Sequence, residues 1–298
     1  MKIEAFLAIF GCFSYCVVNG GFYIWGIISI YVISYFRIFD ESVHYSSLMM
    51  MTLLRGFLIL ILLPLGTLIE LYYDKKKSLL IGIVFFIGSM SICAFTINFY
   101  IFSFFFALAF ASNNTIGYSI IQEAAWKYFP KNKGLANGII YLGFFISSII
   151  SIFTHYIVNW DDIKPNLIIK SEYGSELYYD NEISMNVRQM LLMLLIVWSI
   201  LLSCSYYFVR YPSESYLESI ENISKTDKKF DRRKTIDIYY TNYKEALFSN
   251  RFIIIIAVNT IAFLMDFHLS FSFKRFTINY NYSDEFVTIV GSFLPAIN

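Results

Sequence analysis

Two stretches of the chain, Ile101–Ser119 and Gln189–Val209, contain no charged residue. Each is about the 20 residues that a helix needs to cross a hydrocarbon layer. Backbone amides in lipid must be satisfied within the segment, so runs of this kind are helices. Similar runs, bounded by charges or turn residues, recur along the chain. They give seven spans and the start of an eighth, at Ala5–Tyr35, Ser47–Leu71, Ser78–Ile97, Phe99–Ile121, Leu135–Val158, Arg188–Val209, Phe252–Phe273 and Phe286–Asn298. The composition agrees: 57% hydrophobic and 15% charged, against roughly a quarter charged in soluble domains. The fold class expected is all-α and integral to the membrane. The apolar character of the first segment continues to about Tyr35, too long for a cleaved leader.

Net charge is +1, so no overall field argues for a nucleic-acid partner. The charges are segregated instead. With the amino terminus in the cytoplasm, sixteen Lys and Arg residues fall inside and six outside, and Arg55 alone lies within a span. The positive-inside rule therefore sets that orientation. Cys12, Cys16, Cys93 and Cys204 fall in apolar runs without a CxxC spacing and read as small buried hydrophobes.

The organisation expected is an amino-terminal half of six helices over 1–209, a basic cytoplasmic linker over 210–250 and the start of a second half over 251–298. An acidic outer loop, Asn159–Val187, reads as a solvated cap. The last residues fall inside an apolar segment, which reads as a chain continuing beyond Asn298.

Three segments carry a resemblance. Asn19–Phe36, NGGFYIWGIISIYVISYF, is a glycine-rich first helix. Gly66–Lys77, GTLIELYYDKKK, has a glycine, an acid four residues on and a basic run, with Leu71 and Tyr73 where a base and a second glycine are usual. Trp126–Phe145, WKYFPKNKGLANGIIYLGFF, has an aromatic–Pro step, a basic turn and a Gly-Leu-Ala-x-Gly run. Together they resemble the major facilitator superfamily, in particular its oxalate/formate antiporter and monocarboxylate carrier branch. The resemblance implies a secondary transporter of a small solute, with an organic anion such as a monocarboxylate as substrate, proton coupling an open option and no cofactor. A non-transporting membrane protein built on carrier helices, a fragment or a sensor, is the alternative. No HExxH or nucleophile–His–acid spacing supports an enzyme.

Gly66, Glu70, Lys75, Lys76 and Lys77 are expected to form a cytoplasmic latch, with Glu70 meeting a base or a helix amino terminus. Gly134, Gly138 and Gly143 are expected to permit close helix packing. Polar groups at membrane depth are the pointers to substrate or gate: Arg55 in span two, Asp266 in span seven, and Asn113 and Asn114 in span four. Arg55 and Asp266 fall at matching depths, which suggests an ion pair between the halves. His155 reads as a membrane-interface residue, and His268 is given no role.

Overall fold

The computed structural model describes residues 2–171, 174–212 and 282–297, together with 249–250, 253–254, 257–258, 261, 273–274 and 277. Six helical segments in it are long and apolar enough to cross a membrane: Ile3–Arg37, Tyr45–Tyr72, Lys75–Phe95, Phe99–Tyr128, Lys133–Val158 and Asn181–Phe208. Expected spans one to six coincide with these. Span seven and the linker lie largely outside the described residues.

Two of the six are interrupted. The first consists of α1 (Lys2–Gly20) and α2 (Trp25–Arg37), joined by a 3-10 turn at Gly21–Ile24. The fourth consists of α5 (Phe99–Ser112) and α6 (Tyr118–Tyr128), joined by a π-helical turn at Asn113–Gly117. Of the other four, three are built on α3 (Leu48–Tyr72), α4 (Lys75–Phe95) and α7 (Lys133–Val158).

Residues 159–187 were expected as a solvated loop, and the structure corrects this. They hold an antiparallel hairpin, β1 (Leu167–Ser171) with β2 (Gly174–Tyr178), and a short helix α8 (Asn181–Met185). Glu176 is buried among partners: it accepts from Tyr178 and lies 3.3 Å from His44 Nδ1. The backbone N–H of Tyr179 donates to Ser34 Oγ at 3.1 Å, fixing the hairpin to the end of α2. The bundle continues with α9 (Val187–Phe208), and α10 (Asp284–Ile297) follows.

The first span is the axis of the bundle. α2 is buried along nearly its whole length and α1 packs on α6, α7 and α9. An aromatic column runs beside it: Trp25, Phe102, Phe106, Phe110, Phe86 and Trp198 follow one another at ring-centroid distances of 4.9 to 6.3 Å. Between helices in lipid, shape and dispersion replace the hydrophobic drive. Aromatic pairs add about 0.5–1.5 kcal/mol each beyond the area they bury. The face of α3 carrying Leu53, Phe57, Leu60 and Leu68 is exposed. Of the glycines expected to pack, Gly143 lies where a Cβ would come 2.8 Å from the Phe13 carbonyl oxygen. Gly134 and Gly138 face open space, so close helix approach is not what they supply here.

Candidate functional site

Three polar constellations occupy three depths of this apolar bundle. The middle one lies where the two interrupted helices break. Asn19, the residue before the Gly20-Gly21 pair, donates through Nδ2 to Asn114 Oδ1 at 3.1 Å. Asn114 belongs to the π-turn, whose backbone is closely surrounded. A Cβ on Gly66 would meet the Thr115 carbonyl oxygen at 2.6 Å, and the Tyr15 hydroxyl donates to the Asn113 carbonyl at 2.7 Å. Gly66, read from sequence as part of a latch, thus seats α3 on the π-turn. Single π-turns within α-helices often mark functional positions.

Arg55 projects from α3 and places its guanidinium carbon 3.9 Å from the centroid of the Phe22 ring, in the 3-10 turn. Its Nε is buried and makes no hydrogen bond. Among the described residues no carboxylate pairs with it, and Asp266, its expected partner, lies outside them. Asn113 is fully buried, with both side-chain amide atoms unbonded. Asn19 Oδ1 and Ser147 Oγ are likewise buried and unbonded, and Ser147 abuts Gly20. An unsatisfied buried polar group costs about 1–3 kcal/mol, and more if charged. Unbonded polar atoms thus gather where the two interrupted helices break.

The second constellation lies at the end of the bundle that carries the amino terminus. Lys75 Nζ contacts Glu123 of α6, and Lys127 reaches the same carboxylate at 3.0 Å. The Tyr211 hydroxyl donates to Glu123 at 3.3 Å. Among the described residues no base pairs with Glu70; it accepts from the hydroxyl of Ser119, in the first turn of α6. Lys76 lies over the Tyr206 ring at 5.0 Å, and Lys77 pairs with Asp74 at 3.4 Å. Glu123 is therefore the acidic centre of this end. Sequence reading missed it because it stands just beyond the apolar run that ends near Ile121.

The third lies at the opposite end, beside the hairpin. His155, expected at the lipid interface, is instead 1% exposed. Around it are Tyr31 of α2, Asn159 and Asp162 in the turn after α7, Asp284 and Glu285 at the start of α10, and Lys274 in a helical turn at 273–274. Lys274 Nζ lies 2.8 Å from Asp284 Oδ1 and 3.9 Å from the Tyr31 ring centroid, with both charged side chains buried. The contact is an ion pair by distance, without the alignment of a directed hydrogen bond. Ser151 and Ser292 add a 2.7 Å bond between α7 and α10 lower down.

A sequence profile described as Major Facilitator Superfamily matches residues 7–298. A solved structure titled "Crystal structure of D-xylose-proton symporter" superposes with a TM-score of 0.62 at 12% identity, covering 100% of this chain and 66% of the other. The chain thus spans about two thirds of that structure's length, and the likeness speaks for the fold. No curated protein sequence matches the chain.

Proposed function

The chain belongs to the major facilitator superfamily, and on that premise we propose that its polar centre binds a small organic anion carried across the bilayer by alternating access. The observation that carries the anion is Arg55. A cation at membrane depth is costly unless paired, and here the guanidinium rests on the Phe22 ring with its Nε unbonded. A planar carboxylate fits a guanidinium by two parallel hydrogen bonds. The buried amides of Asn19 and Asn113 and the half-buried amide of Asn114 stand at the adjoining helix breaks to orient the rest of the molecule. Helix interruptions near mid-membrane are where carriers of this architecture hold their solutes. The amino terminus is assigned to the cytoplasm by the charge bias, which places Lys75 and Glu123 inside and the hairpin outside.

A second reading is a neutral hydroxylated solute. Asn113, with a donor and an acceptor both unbonded, would suit hydroxyl groups, and the similar solved structure is titled as a sugar–proton symporter. Uptake into proteoliposomes separates the two. The anion reading expects uptake of a labelled monocarboxylate that Arg55→Ala abolishes and Arg55→Lys partly keeps. Pentose uptake indifferent to Arg55→Ala would replace it with the second reading.

A further inference from the structure

We infer that His155 is a proton-binding site, and that the proton taken up at its Nε2 clamps α7 to the turn at Asp162 and the start of α10. The argument begins with a count of hydrogens. The Tyr31 hydroxyl has one, and it is directed at Asp284 Oδ2. The 2.8 Å contact between that hydroxyl and His155 Nδ1 must then be a donation from the imidazole. Nδ1 also lies 3.3 Å from Asp284 Oδ2, so both neighbours of this nitrogen accept from it. In the neutral ring the single N–H is consequently on Nδ1, and Nε2 presents a lone pair.

That lone pair is buried without a partner, and the nearest charged oxygen is Asp162 Oδ1 at 3.9 Å. Lone pair against carboxylate is the wrong pairing. A proton on Nε2 converts it into a charge-assisted donor aimed at an anion. Closing from 3.9 Å to the usual 2.7–2.9 Å requires a shift of about 1 Å.

The balance of facing charges supports the assignment. Among the described residues Asp162, Asp284 and Glu285 are negative, and Lys274 alone is positive, already 2.8 Å from Asp284 Oδ1. Tyr31, Tyr156, Asn159 and Tyr179 are the remaining polar neighbours, and none brings a positive charge. A proton on His155 lowers the excess of negative charge. A divalent metal is disfavoured although His155, Asp162 and Asp284 offer ligand atoms within 4.8 Å of one another, because the buried Lys274 ammonium already neutralises Asp284 and would repel a dication. The way in is through Asp162, whose side chain is 31% exposed. Asp162 also holds a left-handed backbone, at φ 49°, and accepts the Glu285 N–H at 2.6 Å. It therefore joins the imidazole of the first half to the first turn of α10.

The proton site does not rest on the nature of the solute, so the failure of either inference leaves the other standing. The test uses the full chain in lipid nanodiscs with EDTA and no solute. The chain has three histidines, so the imidazole signals of isotope-labelled His155 are identified by their loss in His155→Gln. They should change as the pH is lowered, as the added Nε2 proton requires. Spin labels at Met49→Cys and Tyr282→Cys, both exposed at this end, should draw together at low pH in the parent chain and keep one distance in His155→Gln. In Asp162→Asn the distance change should be smaller, since the carboxylate that the new N–H would engage is gone. An imidazole in one protonation state from pH 4.5 to 9, or a distance change that persists undiminished in His155→Gln, overturns the inference. So does a distance change that appears only when zinc replaces EDTA. If His155→Gln does not fold, the distance change in the parent chain and its reduction in Asp162→Asn decide.

Discussion

Lys75, the first residue of α4, closes on Glu123 in the middle of α6. Both side chains remain about a third exposed, so the pair stabilises little; such pairs contribute about 0–1 kcal/mol. We propose that the pair acts instead on which end of the bundle stays shut. Glu123→Gln should leave the melting temperature nearly unchanged yet raise the rate at which a thiol reagent reaches a cysteine placed at Leu7, on the amino-terminal side. Lys75→Glu combined with Glu123→Lys should recover part of the protection. Strictly additive effects in that cycle would show that the two residues do not act together.

Glycines in the sequence motifs should separate by what surrounds them. At Gly66 a side chain would strike the backbone of the π-turn, so Gly66→Val should lower stability by about 1–3 kcal/mol. Gly138 faces open space within a helix, and Gly138→Ala should be neutral or stabilise by up to about 1 kcal/mol. Thermal unfolding in detergent measures both. Equal losses would contradict the packing described.

Much of this was legible beforehand. Spans one to six are written in long apolar runs, interrupted in span two by Arg55 and Glu70, because lipid favours no other composition for a helix. The interruptions in spans one and four were not foreseen, since neither contains proline; Gly20-Gly21 and Asn113-Asn114-Thr115 were the available signals. The hairpin went unseen because LIIKS and GSELY are short and set in a polar, acidic stretch. Glu123 and His155 were misjudged or missed for one reason. Their roles depend on partners distant in sequence, Lys75 and Asp284, that only the folded bundle brings close.

The hairpin should respond to alkali through Tyr178. Burial, followed by its bond to the Glu176 carboxylate, pushes the phenol above its ordinary value. A group that holds its proton more tightly when folded stabilises fully below the unfolded value, about 10, and that contribution is lost as pH rises beyond it. Difference absorbance of the parent chain against Tyr178→Phe should show this phenolate forming later than the bulk tyrosines. Simultaneous ionisation would place Tyr178 in water.

The orientation we propose rests on the sixteen-to-six distribution of bases. A cysteine at Ile168, exposed on the hairpin, should react with an impermeant reagent from outside the cell, and one within residues 210–250 should not. The inverted pattern would reverse the assignment.

Alternating access is tested most directly by following both ends of the bundle at once. One fluorescent reporter is placed at Leu7, near the Lys75–Glu123 end, and another at Trp160, near the His155–Asp284 end. A monocarboxylate is then added at fixed pH to the reconstituted protein. The account predicts that the two reporters change accessibility in opposite senses, one end closing as the other opens, and that Arg55→Ala removes both responses. Reporters that move in the same sense, or that respond identically with Arg55→Ala, would contradict it.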